Sequence, residues 1–313
     1  MLVFEIKVLW PSQWFFSRIP RSTARNSSPG VIEHPMTAVL PATEPDHATA
    51  PAQPAFAYLQ KTTAITDVDG IVKGLKDDGF ALIPGVINAA EIQELREAID
   101  RLSHFGFDDK SEYNDHFKCV FNRDRAFRPY LDKPGIIDAA ERMMGEQCHI
   151  IGMTAWRSRP GRNGWGVHID QLMMTLPEAT FADPAFELPM WIGTAHFYLD
   201  DITSELSPTY MIPGSHKSGR GPAPQEESWN GRKPEPVLCK AGDVLFFRSE
   251  VWHSGSKNET ASSSRYLLQV HYSHRFIAQK FTPWPFQYNP ELLALATPRQ
   301  LRIIGKHPVS NYG

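Results

Sequence analysis

Cysteine is scarce: three in 313 residues, at Cys119, Cys148 and Cys239. An odd number of widely spaced thiols argues against a secreted disulfide framework and for a reducing compartment. No stretch approaches 18 uninterrupted apolar residues, which excludes an ordinary transmembrane helix. Long runs of like charge are missing too, and the net charge at pH 7 is only −3. Nothing therefore favours a nucleic acid or an anionic membrane as partner. No internal repeat, nucleotide loop, acyl-CoA signature or carrier-protein motif is visible. What remains, 42% hydrophobic and 21% charged residues, is the composition of a globular protein. A cytoplasmic location is expected, and the oligomeric state is left open.

The first 60 residues do not read as packed core. Residues 36–58 are rich in Pro, Ala and Thr, which suits a disordered leader. Upstream, Arg18, Arg21 and Arg25 stand among serines in an acid-poor stretch that resembles an organelle presequence. The alternative is an upstream extension, with the natural start at Met36. Residues 1–60 are thus a leader or extension, and residues 61–313 one folded domain. An organellar location follows only if residues 1–35 are a genuine presequence.

Folded sequence begins near Thr66, whose spacing to Asp69 resembles an N-cap with an acid in the first turn, followed by Val68, Ile71, Val72 and Leu75 at helical spacing. A short strand and a turn at Phe80–Gly85 precede a second helix, capped by Asn88 and Glu91. A third helix is expected from Pro134, at its first position, to a Gly145 C-cap. From Cys148 the pattern turns to strands, expected at 148–157, 166–173, 191–199, 208–212, 236–239, 243–248 and 265–273. Many strands without intervening helices predict a mainly β fold, a sandwich or barrel with the earlier helices outside. Pro-rich loops at 174–190 and 217–235 are longer than simple connections require.

Within one of these strands lies His168-Ile169-Asp170. Alternation on a strand puts His168 and Asp170 on one side, about 7 Å apart, where both can close on one metal. Some 85 residues on, Trp252-His253-Ser254-Gly255 places a second histidine beside a tight turn, and Arg265 opens the last clear strand. Two histidines and a carboxylate make the facial triad of a non-haem Fe(II) site, which leaves coordination positions open. The planar fork of Arg265 can hold the remote carboxylate of a dicarboxylic cosubstrate. His216 reads as a turn-stabilising hydrogen bonder and His271, on the Arg265 face, as a core histidine with a rival claim on the pocket. Trp165, Trp252, Met173 and Met174 flank the proposed ligands and are candidates for cavity wall and core alike. Arg159 and Arg162 are either solvated turn residues or contacts to an anionic substrate.

Taken with Gly79–Val86, Ile212-Pro213-Gly214-Ser215-His216, Gly242-Asp243-Val244 and Asn258, these residues give the chain a specific likeness. From about Gly79 to Gly305 it resembles the phytanoyl-CoA dioxygenase (PhyH) family of Fe(II)/2-oxoglutarate-dependent oxygenases. The resemblance implies a double-stranded β-helix (jelly roll) core. It also implies iron ligation by His168, Asp170 and His253, and 2-oxoglutarate anchored by Arg265, with His196 and Arg157 near the cosubstrate. The expected reaction consumes O2 and 2-oxoglutarate, releases succinate and CO2, and hydroxylates a small-molecule substrate. Asp170 argues for oxygenation over halogenation, which needs that coordination site for chloride. Ser207-Pro208-Thr209 departs from the Asn-Gly of many relatives, and Gly255 stands where a hydroxyl can help hold the cosubstrate. The competing readings are a non-catalytic jelly-roll module that binds a metal or ligand, and a zinc hydrolase, which leaves the Arg265 spacing unexplained.

Overall fold

The computed structural model describes residues 57–171, 174–183, 185–279 and 287–307. They fall in one unit running from Ala55 to Gly313. Its packing starts before residue 61, because Tyr58 already rests against the buried cluster of Leu82, Leu245 and Val237. Most of the proposed leader lies outside the described residues.

Helix α1 (Val68–Asp77) leads into β1 (Phe80–Ile83) and α2 (Ala89–Arg101). Short β2 (Asp109–Lys110) and β3 (Asn114–Phe117) precede α3 (Ile136–Met144), β4 (His149–Ser158) and β5 (Trp165–His168). Then follow β6 (Ile192–Tyr198), β7 (Thr209–Met211), β8 (Glu235–Pro236), β9 (Val244–Arg248), β10 (His253–Gly255) and β11 (Arg265–Ser273). Two short helices, α4 (Pro290–Leu295) and α5 (Pro298–Ile303), close the described chain.

The strands form two antiparallel sheets, β1-β9-β6-β11-β4-β3-β2 and β5-β10-β7-β8. This is the expected jelly roll. Alternation on the large sheet sorts its side chains into two layers. Val244 and Phe246 of β9, Phe197 of β6 and Leu268 of β11 join the core beneath the helices, with Leu75, Leu95 and Ile137. Leu245 and Phe247, one residue out of phase, face the other way and pack with Tyr198 and Met211 between the sheets. Each fully buried Leu or Phe contributes about 1.5–3 kcal/mol of apolar burial.

Helix ends follow local chemistry, with two corrections. Asn88 caps α2 as expected: its Oδ1 accepts from Ala90 N (2.9 Å) and Glu91 N (3.1 Å), while Asn88 N donates to Glu91 Oε2 at 2.8 Å. The cap of α1 is Asp67 rather than Thr66, since Asp67 Oδ1 takes the Gly70 N–H at 2.8 Å. Helix α3 starts at Ile136, not Pro134. Gly135 occupies the N-cap at φ +79° and donates its N–H to Asp138 Oδ2 at 2.9 Å. His216 is a helix-end partner too, its Nε2 bonding the Lys76 carbonyl of α1 at 3.1 Å. No described helix is long and apolar enough to cross a membrane.

Candidate active site

In the small sheet β10 lies between β5 and β7, and His253 sits directly opposite His168. Opposed residues on neighbouring strands bring their Cβ atoms to roughly 5 Å, close enough for two imidazoles to share one ion. Asp170 arrives differently from the sequence reading. Strand β5 stops at His168, so period-two alternation does not place the carboxylate. A turn does, pinned where Asp170 N donates to Ser249 O at 3.1 Å, just past the end of β9.

The donor atoms of His168, Asp170 and His253 lie within 4.8 Å of one another. Asp170 Oδ1 is 3.9 Å from His168 Nε2 and 3.5 Å from His253 Nε2. Each histidine turns its other nitrogen to a backbone carbonyl, His168 Nδ1 to Gly166 O (2.8 Å) and His253 Nδ1 to Val251 O (3.0 Å). Those bonds keep a proton on each Nδ1 and turn both Nε2 atoms toward Asp170, the orientation a metal ligand requires. Partial desolvation opposes the Asp170 charge, but the hydrogen bond and charge of a protonated His253 outweigh it and hold the carboxyl well below its ordinary range; a metal ion would take the place of that proton on Nε2. For His168, burial and then the charge of His253 lower the pKa, which keeps the ring neutral. The trio fits an ion of Fe(II) type: two neutral nitrogens, one carboxylate oxygen and an open side.

These residues line a cavity of about 370 Å³ between the sheets. That is ample for a small organic ligand. Its large-sheet wall includes Thr154 and Trp156 of β4, Thr194 and His196 of β6, and Arg265, Gln269 and His271 of β11. Gln269 Oε1 accepts from Thr154 Oγ1 (2.9 Å) and Trp156 Nε1 (2.7 Å), so its amide N–H faces His196 Nε2 at 2.7 Å. His196 Nε2 is thus an acceptor, and its Nδ1, buried with no partner among the described residues, carries the proton. Burial, then the charge of Arg265, drives the His196 pKa well down, so it is a neutral donor. His271 serves both readings: it lines the cavity and bonds Thr194 Oγ1 through Nδ1 at 3.0 Å.

Arg265 is 6% exposed. Its Nη1 donates to the Ser207 carbonyl, and its Nε has no partner among the described residues. Among the described residues no carboxylate lies within ion-pair distance of this guanidinium. A buried cation so placed calls for an anion.

Arg157, expected beside the cosubstrate, is not in the cavity. Thr154 and Trp156 point inward on β4, so Arg157 emerges on the opposite face, where its Nη1 donates to Asp100 (2.7 Å) and its Nε to the fully buried Asp115 (2.9 Å). Arg159 also pairs with Asp115. Arg162, by contrast, lines the cavity and is buried. Trp252 is core, its Nε1 donating to Arg220 O at 2.9 Å, whereas Trp165 is a half-exposed part of the cavity wall. Met174 is exposed, and Met173 lies outside the described residues. Sequence reasoning missed His116 and Lys118, which line the cavity from β3 and just beyond it.

The phytanoyl-CoA dioxygenase (PhyH) family model matches residues 75–266, more than half of the chain. The chain belongs to the phytanoyl-CoA dioxygenase family. Among curated relatives, the dioxygenase af480 of Aspergillus fumigatus is 24% identical over 278 residues, covering 82% of each chain. The iron/alpha-ketoglutarate-dependent dioxygenase ausU of Aspergillus calidoustus is 21% identical over 262 residues, covering 79% of this chain and 84% of ausU. Of solved structures, the non-haem alpha-ketoglutarate-dependent epimerase SnoN from nogalamycin biosynthesis superposes with a TM-score of 0.55 at 20% identity. It covers 72% of this chain and 94% of SnoN. This PhyH-family protein is an iron(II)/2-oxoglutarate-dependent dioxygenase, with iron as its metal and 2-oxoglutarate as cosubstrate.

Proposed function

We propose that this dioxygenase hydroxylates an unactivated C–H bond of a small organic substrate. His168, Asp170 and His253 hold the iron, and Arg265 holds the remote carboxylate of 2-oxoglutarate with His196 beside it. The observation that carries the reading is one cavity presenting both a convergent His-Asp-His trio and a buried arginine that has no acid partner among the described residues. When bound, iron and 2-oxoglutarate supply oxidative decarboxylation of the cosubstrate to succinate and CO2, coupled through O2 to oxygenation of the substrate.

The protein's part is position and exclusion of water. Backbone carbonyls of Gly166 and Val251 keep both imidazoles in the ligating tautomer. Asp170 stays charged and fills the coordination site that a halogenating centre would leave to chloride. The neutral His196 offers an N–H toward a bound acid without adding charge. Trp156 and Trp165, ring centroids 5.7 Å apart at 74°, give an apolar wall against which a hydrocarbon portion of the substrate can lie.

The test is iron- and O2-dependent conversion of 2-oxoglutarate to succinate, with a metabolite pool screened for stimulation and ¹⁸O₂ used to trace oxygen into the product. His168→Ala and Asp170→Ala should each lose metal binding and lower turnover at least about a thousandfold. Full turnover in either variant would overturn the ligand assignment. A product without label from O2 would overturn hydroxylation.

A further inference from the structure

Arg162 is a second buried cation in the cavity that holds Arg265, and the proposed function gives it no task. It is 7% exposed. Its Nη1 donates to Ser207 Oγ and Ser256 O, both at 3.1 Å. Its guanidinium lies over the Trp165 ring, 4.7 Å from the centroid, which fixes the plane of the fork. Ser207 joins the two arginines, giving its hydroxyl oxygen to Arg162 and its carbonyl to Arg265. Among the described residues neither guanidinium has a carboxylate within ion-pair distance. Two like charges buried together repel each other: burial, then the charge of Arg265, pushes the Arg162 pKa down to about 10. Both remain charged at neutral pH, so the pair awaits an anion.

Gly255 makes the placement specific. A Cβ built there would lie 3.5 Å from Arg162 Nη1 and 3.8 Å from Nη2. The guanidinium thus occupies ground that a side chain at 255 would reach toward. On β10, Gly255 lies two residues beyond His253, and a bulge on β5 brings Trp165 opposite it. Two residues of strand advance about 7 Å from the metal-ligand row, a gap that a five-carbon dicarboxylate spans.

We propose that Arg162 is a second guanidinium on the remote carboxylate of 2-oxoglutarate, closing with Arg265 a two-arginine clamp and replacing the side chain that Gly255 lacks. The proposal rests on the reading of Arg265 as the cosubstrate anchor. Arg162 is then a binding and positioning residue, and the clamp favours 2-oxoacids with a remote carboxylate over those without one.

The experiment is anaerobic calorimetric titration of the Fe(II)-loaded full-length protein with 2-oxoglutarate and with 2-oxopentanoate, which keeps the chelating end but lacks the remote carboxylate. Arg162→Gln should weaken 2-oxoglutarate about tenfold or more, leave 2-oxopentanoate within about twofold of wild type, and so shrink the preference between them. Arg162→Lys, which keeps the charge and the stem over Trp165, should fall between and serves if the Gln variant does not fold. Unchanged 2-oxoglutarate affinity in both variants would overturn the clamp and leave Arg162 to an anionic substrate. Equal losses for both ligands would overturn it in favour of a structural staple holding Ser207. If wild type binds no 2-oxoglutarate, the functional reading fails first; if wild type binds it and Arg162→Gln binds it equally well, only the clamp fails.

Discussion

Arg157 and Arg162 are five positions apart, and the fold gives them opposite fates. The first stands on the outer face of β4 between Asp100 and Asp115; the second is turned into the cavity over Trp165. The family resemblance placed Arg157 near the cosubstrate because its position along a strand could be carried over and the face it takes could not. The acids that hold Arg157 lie 57 and 42 residues away, beyond any local pattern. Arg157→Gln should therefore leave 2-oxoglutarate affinity unchanged. It should cost about 1–3 kcal/mol of stability by stripping donors from buried Asp115, read as a lower urea midpoint. A marked loss of cosubstrate binding at full stability would return Arg157 to the site. The proposed ligands were legible for the contrary reason: His168, Asp170, His253 and Arg265 keep an order and spacing that chemistry requires. Ser207 shows a departure with a physical reading. It sits at φ +52° in the left-handed region, which Asn and Gly enter more easily, and hydrogen bonds from two arginines hold it there.

Elements were legible in proportion to their length and amphipathicity. Helices α1, α2 and α3 and the long strands β4, β6, β9 and β11 carry clear periods, and they appear within a few residues of expectation. Strands β2, β3 and β10 are two to four residues long. Such segments show no period, and pairing with neighbours alone defines them. Helices α4 and α5, six residues each, are of the same kind. Where a cap was legible it makes a direct prediction. Asn88→Ala removes the acceptor for two N–H groups of α2 and should cost about 1 kcal/mol, while Asn88→Gly costs only a few tenths. Equal midpoints for Asn88→Ala and wild type in denaturant titrations would show that the packing of α2 against the sheet, not its cap, sets its stability.

For the whole molecule the chief consequence of burying histidines is sensitivity to acid. Burial, helped by the charges of Arg248 and Lys217, pushes His216 down to about 3. Burial also pushes His116 and His307 down to about 4. In the unfolded chain these rings take up protons near pH 6.5, as free histidine does. Between about pH 6.5 and 3 the unfolded state therefore binds more protons, so stability is full above that window and is lost as pH falls through it. His116 and His216, the better shielded two, each steepen the loss by about 1.4 kcal/mol per pH unit, and solvent screening leaves the more open His307 a smaller share. His216→Gln should lower stability at pH 7.5, where the bond to Lys76 O is weakened, yet flatten the decline between pH 6 and 4. An identical slope in wild type and variant would show that His216 is protonated in the folded state.

The pairing of β10 with β5 has a consequence for assembly. His253 meets His168 in one alignment of the two strands, and a slip of a single residue turns every side chain of β10 to the other face. Such a slip leaves the helices and the large sheet intact while the trio is broken. With the trio as the proposed ligand set, a bound ion is a witness to strand alignment. The fraction of refolded protein that can be loaded with iron counts the molecules in native register, a number that a melting curve dominated by the large core does not report.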